Sequence, residues 1–176
     1  MRDYVKLSLF TGARRSNVQS MKWSDINLDR AEWRIEKTKN GKPQTVTLSV
    51  EAIEILRRRQ VNAELSLFVF PGRGESGHLM EPKAGWDRIL ARAGIQNLRL
   101  HDLRRTFGSY QAITGSSLPV IGKSLIHLSP STTAIYAHLD LDPVRQSVQR
   151  ASSAIVAAAG LKPGAEVVEL RPRKRS

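Results

Sequence analysis

The sequence contains no cysteine. This absence excludes disulfide bonds and thiolate metal ligands, and it fits a protein of the reducing cytoplasm. Long apolar runs are also missing, since no stretch approaches the roughly 20 residues that span a bilayer. The opening Met1-Arg2-Asp3-Tyr4 does not resemble a secretory signal. We therefore expect a cytoplasmic protein with no membrane partner.

Acidic residues are scarce relative to basic ones. The chain has 16 Asp and Glu against 28 Lys and Arg, which gives a net charge of +12 at pH 7. Only four of these cations lie in the last six residues, so the excess belongs mostly to the rest of the chain. This balance favours a polyanionic partner such as nucleic acid.

The length of 176 residues and the hydrophobic content of 40% are sufficient for one domain with a core. We expect this domain to cover residues 1–160. The segment 161–176 is rich in proline, glycine and charge, and we expect it to be a flexible basic tail.

Apolar spacing predicts a mainly α-helical chain with a small antiparallel β-sheet, an α+β fold. Strands over Glu32–Ile35 and Thr45–Leu48 flank Lys39-Asn40-Gly41-Lys42, whose Asn-Gly pair is typical of a tight hairpin turn. The tryptophans at positions 23, 33 and 86 are expected to pack in the core. Helices are predicted over residues 3–10, 14–21, 50–61, 82–93, 101–114, 118–128, 131–139 and 142–159.

Two polar residues stand at helical spacing in the second half of the chain. His101 and Arg104 are three positions apart, so they share one face of the predicted helix. Near the first turn of that helix, free backbone amides would add to their attraction for a phosphate. Taken alone, the pair is weak evidence, and a surface histidine beside a solvated arginine would be the favoured interpretation. The four histidines show neither H-E-x-x-H nor a paired cysteine motif, so no metal site is expected.

Four short motifs occur together along the chain. They are T-G-A-R (11–14), T-K-N-G-K-P (38–43), H-D-L-R-R-T-F (101–107) and S-T-T-A-I-Y (131–136). In this order and spacing, the chain resembles the catalytic domain of tyrosine recombinases of the phage-integrase type. The resemblance runs from Tyr4 to about Ile155 and implies the fold of the DNA breaking-rejoining enzymes.

The resemblance implies a set of catalytic residues. Tyr136 matches the nucleophile, which would form a 3′-phosphotyrosyl link to DNA. Two planar guanidiniums suit the charge that develops on the phosphate oxygens, and a positioned imidazole or ammonium can move the protons. The full set consists of Arg14, Lys39, His101, Arg104, His127 and Tyr136.

The expected roles follow from this chemistry. The phenol has an ordinary pKa near 10, so it needs help in losing its proton, and His101 is the candidate base. Lys39 would protonate the departing 5′ oxygen, with Lys42 as the nearest competitor for that role. Neither a metal ion nor a nucleotide cofactor is expected.

The resemblance also implies partners. Double-stranded DNA would be the substrate, in the integration or excision of a phage or other mobile element. Full-length relatives act as a homo-tetramer on two DNA sites, and the helix over 142–159 would reach a neighbouring subunit. As an isolated domain the chain would be a monomer. An accessory directionality factor would be a further partner.

Three departures from the family pattern leave alternatives open. Asn17 stands where many relatives have an acidic residue, and Ile126 replaces the glycine before His127. A β-branched residue cannot take the positive φ that glycine allows, so Ile126 is expected to displace His127. An N-terminal core-binding domain is absent, so we expect an excised domain or a truncated gene. The alternatives are a catalytically silent DNA-binding module derived from an integrase, and a type IB topoisomerase.

Overall fold

The structure, a computed structural model, describes residues 1–36, 41, 43–61, 63, 66–127, 129–139 and 142–160. The described chain is mainly helical with one small antiparallel sheet, as predicted. The elements in chain order are α1 (Arg2–Thr11), α2 (Arg15–Gln19), β1 (Ile26–Asn27), β2 (Glu32–Ile35), β3 (Gln44–Thr47), α3 (Val50–Val61), α4 (Lys83–Ala93), α5 (Leu100–Ile113), α6 (Leu118–Ser124), α7 (Pro130–Thr133) and α8 (Asp142–Ala158).

The sheet has the order β1-β2-β3, with β2 paired antiparallel to both neighbours. Trp33 lies opposite Val46, and both side chains are buried. Ile35 is also buried, whereas Arg34, which lies between Trp33 and Ile35, is exposed. This alternation is that of a strand with one face on the core. Most of the predicted turn at 39–42 lies outside the described residues.

The main core cluster joins α1, α3 and the sheet. Tyr4 and Leu7 of α1 are buried in it together with Leu56 of α3. α1 ends at Gly12, whose φ of 57° is the left-handed conformation that closes a helix without steric cost for glycine. Because α1 packs on both α3 and α5, the loop after Gly12 lies beside α5.

A second, smaller cluster joins α5, α6 and the segment after α7. Its buried members are Ala112, Ile121, Leu125 and Tyr136. The helix predicted over 118–128 is shorter in the structure, because α6 ends at Ser124 and the backbone turns left-handed at Ile126. The helix predicted over 131–139 is also divided. Its first part is α7, and Ala134–Leu139 forms a 3₁₀ helix.

The chain divides into two compact units, residues 1–139 and 140–176. The described part of the second unit is α8 and the residues up to 160, where Val148 and Ile155 are exposed. The predicted tail over 161–176 lies outside the described residues. Within the described segments, every helix is too short or too polar to cross a membrane.

Candidate active site

Arg104 is the buried cation of this region. Its side chain lies on α5, and only 6% of the residue is exposed. Nη1 donates to the carbonyl oxygen of Gly12 at 2.6 Å, and Nη2 donates to the carbonyl oxygen of Leu125. Burial, with a smaller effect from the charge of Arg14, lowers the pKa of Arg104 to about 10. The guanidinium therefore stays charged at neutral pH, tied to the ends of α1 and α6.

Arg14 approaches the same backbone segment from α2, where it is the N-cap residue. Its Nη2 donates to the carbonyl oxygen of Ile126 at 3.4 Å. Its Nη1 is buried and has no hydrogen-bond partner among the described residues. A buried charged donor without an acceptor is costly, and an anion would satisfy it. The guanidiniums of Arg104 and Arg14 thus donate to the carbonyl oxygens of two consecutive residues, Leu125 and Ile126.

Ile126 adopts a φ of 57°. The expectation that a β-branched residue excludes this conformation is therefore wrong. The left-handed backbone costs about 1–2 kcal/mol, but the side chain is 4% exposed and belongs to the main core cluster. Burying an isoleucine contributes about 1.5–3 kcal/mol, which offsets the strain. The next amide, of His127, donates to the carbonyl oxygen of Gly122 at 2.9 Å, so the turn is held on α6.

His127 follows this turn. Its Nδ1 lies 2.9 Å from Oγ1 of Thr133, a buried residue at the end of α7. Burial lowers the pKa of His127, and the positive charges of Arg104 and Arg14 lower it further. The imidazole is accordingly neutral at neutral pH and lies in the field of both arginines.

Tyr136 packs against α5. Only 4% of the residue is exposed, and a Cβ placed on Gly108 would lie 2.6 Å from its Cζ and 2.8 Å from its hydroxyl oxygen. Gly108 follows Arg104 by about one helical turn, so the phenol lies along the face of α5 that carries the arginine. Burial raises the pKa of Tyr136, while the charges of Arg104 and Arg105 act in the opposite direction. The phenol is therefore protonated at neutral pH.

His101 lies in the first turn of α5 and is exposed. Together with Arg104 and Tyr4 it lines a small crevice between α5 and α1. Partial desolvation of the ring lowers the pKa of His101, and the charge of Arg104 adds to the effect. A neutral, accessible imidazole at this position is able to accept a proton.

The structure thus brings four of the six predicted site residues together, namely Arg14, Arg104, His127 and Tyr136. His101 lies at the margin of the group. Lys39 falls outside the described residues. Sequence reasoning missed two contributors, Gly108 and Thr133. An isolated glycine inside a helical pattern is a signal of close packing, which could have identified Gly108. Thr133 carries no comparable signal, because its partner is known only from the fold.

Comparison with known proteins identifies relatives along most of the chain. Residues 1–142 match the profile of the phage integrase family. Prophage integrase IntF of Escherichia coli K12 is 27% identical over 164 residues, which are 90% of this chain and 35% of that protein. Tyrosine recombinase XerA of Pyrococcus furiosus is 32% identical over 156 residues, which are 84% of this chain and 53% of that protein. The chain therefore spans between about a third and about a half of the length of these relatives.

Solved structures share the fold. The XerH site-specific recombinase bound to difH substrate, in a pre-cleavage complex, matches with a TM-score of 0.67 and 26% identity, over 78% of this chain and 42% of that one. The catalytic domain of bacteriophage HP1 integrase matches with a TM-score of 0.62 and 24% identity, over 84% of this chain and 79% of that one. The chain accordingly belongs to the phage integrase family, and its fold is that of a tyrosine recombinase catalytic domain.

Proposed function

We propose that this chain is the catalytic part of a site-specific recombinase that cuts and rejoins duplex DNA through Tyr136. One observation carries the proposal. The ring of Tyr136 lies on Gly108, beside the buried guanidinium of Arg104, while Arg14 and His127 converge on the same turn. A phenol next to two arginines is the arrangement needed to transfer a phosphoryl group to an oxygen nucleophile.

The reaction exchanges one phosphoester bond for another. The phenolic oxygen of Tyr136 attacks the scissile phosphorus, a new P–O bond forms, and the bond to the 5′ oxygen of the DNA breaks. The phenolic proton passes to a base, for which His101 is our assignment, and the 5′ oxygen receives a proton from Lys39, an assignment that rests on the family resemblance. Attack by a 5′ hydroxyl of a second DNA end reverses these steps and joins the strands.

The remaining groups stabilise the negative charge of the transition state. In the crowded phosphorus centre, extra negative charge develops on the non-bridging oxygens. The Nη1 of Arg14, which has no partner within the described part of the chain, and the preorganised guanidinium of Arg104 are suited to receive this charge, because neither needs to be dehydrated during the reaction. His127 adds a third donor.

Duplex DNA is the partner that we propose for this chain. The relatives named as integrases and the XerH complex with difH support duplex DNA as the partner. We propose that the full-length protein works in the cytoplasm as a homo-tetramer on two DNA sites, in the integration or excision of a mobile element. The exposed Val148 and Ile155 make α8 our candidate for the contact with a neighbouring subunit. An accessory factor would set the direction.

A nicked suicide substrate tests the proposal, because loss of a short 5′ fragment traps the covalent intermediate. We expect a protein–DNA adduct that survives denaturation, and peptide mass spectrometry should place the nucleotide on Tyr136. The chain has only two other tyrosines, Tyr4 and Tyr110, so the assignment is unambiguous. The substrate should carry the DNA that flanks the gene, where we expect the attachment site. Specific binding to that site without any adduct would support a silent DNA-binding module instead, and relaxation of supercoiled DNA of any sequence would support a topoisomerase.

Gly108→Ala is expected to slow strand cleavage by about 10- to 100-fold, because the new methyl group must displace the ring and hydroxyl of Tyr136. The free energy of unfolding should fall by between about 0 and 2 kcal/mol. Alanine is favoured over glycine in a helix by about 1 kcal/mol, and the crowding costs about 1–3 kcal/mol. Single-turnover cleavage and chemical denaturation measure the two effects separately.

Gly85→Ala is the matched control. Gly85 also lies inside a helix, α4, but the three atoms nearest to a Cβ there all belong to the flexible side chain of Met1. We expect this variant to cleave DNA at the normal rate and to be slightly more stable. Equal rates for the Gly108 and Gly85 variants would show that the packed position of Tyr136 is irrelevant to cleavage.

A further inference from the structure

The buried hydroxyl of Thr133, at the end of α7, forms a hydrogen bond with the ring of His127. Thr133 is 3% exposed, and within the described segments its Oγ1 makes one hydrogen bond, to Nδ1 of His127 at 2.9 Å. Gly122 leaves the room for this hydroxyl, because a Cβ on Gly122 would lie only 3.0 Å from Oγ1. The carbonyl oxygen of Gly122 also accepts from the amide of His127. Both partners of the bond are therefore fixed against α6.

The direction of this hydrogen bond follows from the requirements of the hydroxyl. A neutral imidazole carries one N–H and one bare nitrogen. If Nδ1 held the proton, it would donate to Oγ1, and the buried hydroxyl hydrogen of Thr133 would have no acceptor within the described segments. A buried donor without an acceptor is unfavourable by about 1–3 kcal/mol. The favoured arrangement is thus Thr133 donating to a bare Nδ1, with the proton of His127 on Nε2.

We propose that Thr133 is a positioning residue that holds His127 in its Nε2–H tautomer, so that a neutral imidazole presents a hydrogen-bond donor to the scissile phosphate. The idea rests on the proposed function for the role of the phosphate, but the state of the ring can be measured without DNA. The neutral Nε2–H tautomer also gives His127 a hydrogen-bond donor without placing a third positive charge beside Arg14 and Arg104, which would be unfavourable.

Thr133→Val keeps the shape of the side chain and removes the hydroxyl, and Thr133→Ser restores it. In wild-type protein with ¹⁵N-labelled histidine, long-range ¹H–¹⁵N spectra at neutral pH should show His127 with a protonated Nε2 and a bare Nδ1. The valine variant should lose this pattern and show averaged shifts, and the serine variant should recover it. Melting temperatures identify a variant that fails to fold, and Thr133→Ala then replaces Thr133→Val.

Cleavage supplies the second readout. We expect Thr133→Val to cut DNA about tenfold more slowly at neutral pH, the equivalent of one lost hydrogen bond. The ratio of variant to wild-type rate should rise as the pH falls, since a protonated imidazole carries N–H on both nitrogens whatever its neighbour. Thr133→Ser should cleave at close to the wild-type rate. A purely structural role would lower the rate by the same factor at every pH.

The spectra and the cleavage rates together distinguish a failure of the proposed function from a failure of the inference about Thr133. If wild-type protein forms no adduct, the proposed function fails, while the spectra still decide whether Thr133 sets the tautomer. An unchanged His127 spectrum in the valine variant would overturn the inference, as would a pH-independent rate ratio.

Discussion

Arg104→Lys is expected to lower the free energy of unfolding by about 2 kcal/mol and to slow strand cleavage by about 100- to 1000-fold. The planar guanidinium donates to the carbonyl oxygens of Gly12 and Leu125 at once. A lysine ammonium is a point charge on a flexible stem, so it cannot hold both carbonyls and also face a phosphate. Urea denaturation and single-turnover cleavage of a nicked substrate provide the two measurements.

Two further lysine substitutions make this prediction specific. Arg105 is exposed on the same helix and forms a surface ion pair with Asp102 at 3.6 Å, so Arg105→Lys should change stability by less than about 0.5 kcal/mol. Arg14→Lys should slow cleavage as severely as Arg104→Lys but cost less stability, because Nη1 of Arg14 has no partner among the described residues. If Arg104→Lys unfolds at the wild-type urea concentration, the two carbonyl contacts do not support the fold.

Tyr136→Phe is expected to abolish the covalent adduct while DNA affinity and the free energy of unfolding stay near their wild-type values. The phenylalanine ring fills the same place against Gly108, so packing is retained and only the attacking oxygen is lost. Stability should change by less than about 0.5 kcal/mol. Denaturing gels of the trapped complex, binding titrations at fixed salt and chemical denaturation measure the three quantities.

Tyr110→Phe is the matched control for this substitution. Tyr110 lies on α5 like Gly108, but it is 64% exposed and outside the buried cluster that contains Tyr136. The control should form adduct at the wild-type rate. A Tyr136→Phe protein that still becomes covalently attached to DNA would place the nucleophile on another residue and contradict the proposed mechanism.

The sequence was sufficient to predict the fold class and most elements, because periodicity and turn residues are local signals. The strand pair around the Asn-Gly turn and the helix over 50–61 are examples, since β2 and α3 match their predicted bounds. The end of α6 was predicted four residues too late. Ile126 is not a residue type that ends a helix, and the burial of its side chain and the bond from Arg14 to its carbonyl oxygen are visible only in the structure.

The candidate site was predictable in its residue types but not in its contacts. Family motifs indicated Arg14 and Arg104, yet nothing in the sequence indicates that Arg104 is bound by backbone carbonyls from positions 12 and 125. The same holds for the pair of Thr133 and His127. The contacts of Arg104 join segments distant along the chain, whereas the bond of Thr133 connects α7 to the turn that follows α6. The geometry of both depends on how the helices pack.

The position of Arg104 between Gly12 and Leu125 has a consequence for immature protein. The guanidinium is held at both carbonyls only after α1 has packed on α5, which lies much later in the chain, and Leu125 has reached Arg104. A nascent or partly unfolded molecule keeps the positive charge of the chain. Because the proposed strand cleavage needs the ordered guanidinium of Arg104, we expect cleavage only from molecules that have completed folding.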